Sequence, residues 1–192
     1  MRPTFVRNFA AGLFGVSLCI LPLSPATAQT PPAEVSEASL TLSREVLENL
    51  RYFDLMLIGM RNGFEGNDDY RGLSETEQKR FFALAVEEME IRRVAIIDVM
   101  AKGNINRLTA EEWEQAAQFS RIKYVQDLVL AGVNPSGPRP DPATMTPSES
   151  ALFSRLVPQP FIARLFSKEQ IEPAESLVLE AGNAALARFQ AQ

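Results

Sequence analysis

Apolar residues along this chain recur mostly at alternating three- and four-residue steps, the spacing that draws a stripe along one side of an α-helix. Val46, Leu50, Phe53, Leu57, Met60 and Phe64 form the first such series and predict a helix over about 43–62. Leu47, Met56 and Ile58 widen its apolar surface, and Gly63 and Gly66 predict its end. The acidic loop 65–72 follows. Placing Gly72 at the glycine of a calcium loop puts Arg71 at a ligand position and Gln78 where a bidentate glutamate is needed, so the segment reads as a solvated turn.

Ser74 and Glu77 form a capping box that opens a long second helix, expected to reach Lys102 and stop at Gly103. Its expected buried stripe is Phe82, Val86, Met89, Ile96 and Met100, with Arg93 standing in the same stripe. Two roles follow for Arg93: a packed stem with its charge snorkelling or paired to a helix carboxylate, or an anion-binding residue in a cleft. Thr109 and Glu112 repeat the box and start a third helix to about Ala131, with Gly132 as its stop. Its apolar residues include Trp113, Phe119, Ile122, Tyr124 and Val129, and Trp113 reads as a core anchor. Residues 133–147 carry five prolines, which exclude helix and central strand and predict an extended connector. Beyond it, Thr146-Pro147 with Glu149 starts a short helix. Pro158 and Pro160 interrupt it, a second short helix covers about 161–168, and a last one about 173–189. The last helix shows a face of small residues: Ala174, Leu177, Ala181, Ala184 and Ala185. No run alternates with period two. The expected fold is all-α: an irregular bundle of five to six helices split by a proline-rich connector.

The N-terminus has a different pattern. Arg2 and Arg7 precede an apolar run from Phe9 to Leu23, and Ala26-Thr27-Ala28 supplies small residues for a peptidase. This is the order of a secretory signal peptide, with cleavage expected after Ala28. The run is shorter than the roughly 20 residues a spanning helix needs and contains Pro22, which argues against a retained anchor. Leu18 before Cys19 argues against lipidation, which needs a small residue there. Residues 29–39 read as a mobile leader. The expected location is therefore periplasmic or secreted.

Removing 28 residues from 192 leaves 164, enough for one domain with a core of its own. The signal holds two of the 19 basic residues and none of the 24 acids, so the remainder carries a formal charge of −7. That balance points away from nucleic acid, whose phosphates require a basic footprint. The one cysteine, Cys19, leaves with the signal, and the chain has no histidine. Thiol and Ser-His-Asp catalysis, the usual zinc sites and the Glu-x-x-His di-iron arrangement all lose an essential group. No metal or cofactor is expected.

The stretch 95–132 contains Asp98-Val99-Met100, then Leu108-Thr109-Ala110-Glu111-Glu112-Trp113, then Phe119 and Gly132. In these residues it resembles a family of uncharacterised exported bacterial helical domains, a domain of unknown function. The family's tyrosine-serine-proline-glycine run is missing, and Ser120-Arg121-Ile122 stands in its place. The resemblance covers about a fifth of the chain and implies export and helicity.

The most apolar stretch after the signal is 151–168, whose only charges are Arg155, Arg164 and Lys168. Basic groups beside bulky apolar ones suit an anionic membrane surface or a partner's groove; the alternative is a lid folded back on the bundle. Arg155, Phe161, Arg164, Phe166, Lys168 and Arg93 are the candidate binding residues. The acids Glu87, Glu88, Glu90, Asp98, Glu111, Glu112 and Glu114 could in principle supply a carboxylate pair for sugar cleavage. Helix-surface pairing and first-turn placement account for most of them. The expected function is a non-catalytic exported protein that acts by binding an unknown protein or an envelope surface. An apolar-ligand carrier and a carboxylate-dependent hydrolase are the alternatives.

Overall fold

The computed structural model describes residues 36–133 and 139–191; the expected signal peptide, residues 29–35 of the expected leader and connector residues 134–138 lie outside that set. The described residues form an all-α bundle with no strand among them. Nine α-helices follow in order: α1 (Glu37–Asn49), α2 (Tyr52–Glu65), α3 (Asp68–Arg71), α4 (Glu75–Asn104), α5 (Ala110–Ser120), α6 (Lys123–Val133), α7 (Pro147–Leu156), α8 (Pro160–Leu165) and α9 (Glu175–Gln190).

The rise from six expected helices to nine has local causes. The predicted 43–62 helix is two helices, and it begins earlier, with Ser36 accepting from the Ser39 N–H as its cap. The split falls at Arg51, which takes a left-handed conformation (φ 56°, ψ 39°). A non-glycine residue there costs on the order of 1–2 kcal/mol. The turn re-aims the chain so that Leu50, Tyr52, Phe53, Met56, Met60 and Phe64 all enter the core, while Leu57 stays half-buried. The predicted 109–131 helix likewise breaks at Arg121–Ile122, and α6 passes through Gly132 to Val133. Residues 68–71 form a helical turn where a solvated turn was expected. Both predicted capping boxes, at Ser74/Glu77 and Thr109/Glu112, are formed, and Thr146/Glu149 makes a third.

Helix α4, with 30 residues, is the spine. It packs against α1, α2 and α9. Its buried set is Phe81, Leu84, Ala85, Glu88, Met89, Ile96, Ile97, Met100, Ala101 and Asn104. The expected stripe is therefore turned slightly: Phe82 and Val86 are half-buried and Arg93 is exposed. Helix α9 lies along α4 on Ala174, Val178, Ala181, Gly182 and Ala185, residues small enough to bring the two backbones close. Leu177 and Ala184 sit at the margin of that contact.

Gly103 does not stop α4. It lies inside the helix where Pro173 crosses, and a Cβ added there would meet Pro173 Cγ at 2.5 Å and Cβ at 2.6 Å. A proline ring cannot swing aside as a flexible side chain can. Gly103→Ala should gain about 1 kcal/mol of helix propensity and lose about 1–3 kcal/mol to overpacking. The expected result is a net loss of stability in urea melts, and an alanine variant as stable as the parent would contradict the close contact.

Candidate functional site

The stretch 147–170 packs across α5 and holds most of the candidate binding residues. Its shape follows from its prolines. Thr146 caps α7 and Pro147 takes the first helical position. Pro160 takes the same position in α8, forcing a corner between the two short helices. Two 3₁₀ turns, Lys168–Gln170 and Glu172–Ala174, then lead into α9.

The apolar side of this segment faces inward. Leu156, Phe161, Ile162 and Leu165 are 0–2% exposed. Phe153 stacks on Phe119 at 6.0 Å between centroids, Phe166 meets the same ring edge-on at 6.4 Å, and Tyr124 meets Phe153 edge-on at 5.4 Å. Burying a large apolar side chain is worth about 1.5–3 kcal/mol. The four fully buried ones alone amount to roughly 6–12 kcal/mol, similar to the whole stability of a domain. The segment is therefore a built-in part of the fold.

Polar ties complete the attachment. The buried Tyr52 hydroxyl donates to the Leu165 carbonyl, and burial pushes its phenol well above the usual tyrosine range. Asn104, almost wholly buried, donates to the Met100 carbonyl at 2.8 Å and the Gln170 carbonyl at 2.7 Å. Arg107 reaches Ser167 Oγ at 2.6 Å and Glu169 at 3.4 Å. Arg164 pairs with Glu112. Trp113 is a core anchor, 1% exposed, its indole N–H donating to the Ile105 carbonyl at 3.0 Å.

The predicted site residues thus separate. Phe161 is buried and offers no outward face. Phe166 is half-buried in the aromatic cluster, and Arg164 is exposed but engaged with Glu112. Arg155 and Lys168 are exposed and make no ion pair among the described residues. Arg93 lies elsewhere, on α4, with its guanidinium 4.9 Å from the Phe53 ring centroid and 3.7 Å from Glu90. Its contacts are those of the packed-stem role. Ile91 and Val94 on the same helix are 73% and 82% exposed, a pair too small to mark an interface without a covering partner.

Several of the acids are held in structural roles. Glu88 lies between Arg92 at 2.6 Å and Arg188 at 2.9 Å, and these guanidiniums keep its carboxyl below the ordinary range. Lys102 at 2.5 Å and Arg44 at 2.6 Å do the same to Asp98, and Arg121 to Glu45. Glu169 is lowered first by the Ser167 hydroxyl. A sugar-cleaving general acid needs a carboxyl shifted the other way. In the acidic loop, Asn67 uses its side-chain oxygen as a helix cap, accepting from the Asp69 N–H at 2.9 Å. Among the described residues no three acids are placed to hold a metal ion.

Comparisons with family models, with curated proteins and with solved structures found no match to this chain. Tyr52, Asn104 and Arg107, which fasten the 147–170 segment, carried no sequence signal, because each acts on a residue 60 or more positions away.

A carboxylate held low when folded and released when unfolded stabilises the fold above the ordinary carboxylate pKa, and this contribution is lost as pH falls. Stability should therefore drop on acidification from about pH 7 to about pH 4. Glu88→Gln should cost about 1–3 kcal/mol at neutral pH and flatten that dependence. Urea melts of both proteins at the two pH values check this; parallel pH profiles would contradict the role of Glu88.

Proposed function

We propose that this chain is an exported, periplasmic or secreted helical protein that acts by binding, as an interaction or accessory factor of the envelope, and performs no catalysis. The observation that carries the reading is how charge is disposed. The acids with displaced titration are all displaced downward by cations, hydroxyls or cap N–H groups, which leaves them poor proton donors. Arg155 and Lys168 of the 147–170 segment meanwhile remain in solvent above a firmly packed apolar underside.

The export half rests on residues 1–28: two arginines, an apolar run ended by Pro22, and the Ala26-Thr27-Ala28 site. A cysteine-free remainder suits an oxidising compartment, where it avoids scrambled disulfides. The binding half rests on Arg155, Phe166 and Lys168, the predicted site residues that keep some exposure on one segment; Arg164 is shared with Glu112. Among the described residues no helix is long and apolar enough to cross a membrane, which suits contact at a surface. The partial resemblance of 95–132 to exported helical domains points the same way.

Two outcomes are expected. Mass spectrometry of the chain recovered from the exported fraction should find Gln29 as its first residue. Cross-linking in intact cells should give adducts that weaken several-fold in the double variant Arg155→Glu/Lys168→Glu and persist in Arg93→Glu. Retention of residues 1–28 would remove the export reading, and adducts indifferent to the double variant would remove the binding surface.

A further inference from the structure

Most cations among the described residues are engaged by an acid or a ring. Arg44, Arg51, Arg71, Lys79, Arg92, Arg93, Lys102, Arg107, Arg121, Lys123, Arg164 and Arg188 each lie against an acid. Arg61 and Arg80 lie over the rings of Phe82 and Phe189. Among the described residues the cations left without an acid or a ring are Arg139, Arg155 and Lys168, and all three are exposed. They fall in the end of the connector and in the segment that it leads into. The stretch has two acids of its own, Asp141, which accepts from the Ala143 N–H at 2.9 Å, and Glu149, which accepts from the Thr146 N–H at 2.8 Å, while Glu169 just beyond it meets Arg107. Other exposed acids without a cation, such as Glu48, Glu114, Glu175 and Glu180, stand on α1, α5 and α9. Residues 139–168 thus keep a positive excess, four cations to two acids, in a chain whose net charge is negative.

We propose that residues 139–168 are a peripheral docking surface for anionic lipid headgroups. This rests on the binding function proposed above and names its partner. Charge complementarity selects an anion. The exposed positions between the cations, Ala151, Ser154, Pro158, Gln159, Pro160 and Ala163, are small or neutral and offer no anchor of their own. A protein interface draws most of its affinity from a large anchor such as Trp, Tyr or Arg seated in a pocket. This segment turns its large rings inward, with Phe161 buried and Phe153 and Phe166 packed on Phe119. It has no exposed side chain to insert into hydrocarbon, so the contact is electrostatic and confined to the headgroups.

The experiment is cosedimentation of the chain from Gln29 onward with phosphatidylglycerol-containing vesicles and with pure phosphatidylcholine vesicles. The excess of cations over acids in this stretch should favour the former by roughly 10-fold at low salt. The preference should vanish at high salt, where the Debye length shrinks to about 3 Å, and in the variant Arg139→Gln/Arg155→Gln/Lys168→Gln. These positions are exposed, and an unchanged urea melt confirms that the variant folds. Equal partitioning into both vesicles, or undiminished binding by the triple variant, overturns the proposal. If vesicles are ignored while in-cell adducts still depend on Arg155 and Lys168, the lipid assignment alone falls. If neither depends on them, the binding function falls with it.

Discussion

Everything in this bundle is referred to one contact: the close approach of the C-terminal helix α9 to the 30-residue spine α4. Without a cysteine after the expected signal, the chain has no disulfide to constrain its unfolded state, so helix packing carries the stability. The contact is made close by Ala181, Gly182 and Ala185 on α9, by Ala174 in the turn before it, and by the bare Cα of Gly103 on α4, against which Pro173 rests. At its far end Arg188 closes onto Glu87 and Glu88, and Arg80 donates to the Phe189 carbonyl at 2.8 Å. Helix α9 is thereby fastened at both ends.

The same spine positions the segment proposed as the docking surface. Asn104, the last residue of α4, is buried and bridges its own helix to the Gln170 carbonyl, so the 3₁₀ turn after α8 is hung directly from the spine. Tyr52 and Arg107 add bonds from α2 and from the turn following α4. These are few, specific polar links set beneath a broad apolar contact, and their geometry determines which side of α7 and α8 meets water. Among the described residues the buried Gln170 side-chain oxygen finds no hydrogen-bond partner, and the Ser43 hydroxyl is in the same condition. The Gln170 amide nitrogen faces the Arg164 carbonyl at 3.3 Å.

Charge serves two separate purposes here. Most ion pairs are short-range fasteners between neighbouring helices or along one helix, and several are exposed enough that each is worth at most about 1 kcal/mol. The Glu88 pairings, with Glu88 only 10% exposed at its side chain, are the stronger case. What remains after this pairing is a surplus of acids over most of the surface and a few unengaged cations on the segment that packs across α5. That positive excess is the basis of the anionic partner proposed above.

Much of the architecture was legible in the order of residues, because it depends on local chemistry. The capping boxes at Ser74, Thr109 and Thr146, the proline corner at 158–160 and the helical period of the apolar positions each involve residues within a turn or two of one another. These alone determined an all-α chain, and the absence of histidine and the single cysteine, Cys19, narrowed its chemistry. The tertiary structure decided the rest. A break such as Arg51 leaves the apolar period nearly intact, so it becomes visible only when Leu50 and Tyr52 are both found in the core. Gly103 resembles a helix stop until Pro173 is seen pressed against it. Phe161 and Arg155 stand six positions apart in one apolar, basic stretch, yet one faces the core and the other faces solvent. Which side of a short amphipathic helix is covered depends on what lies across from it, and that neighbour, α5, is distant in sequence.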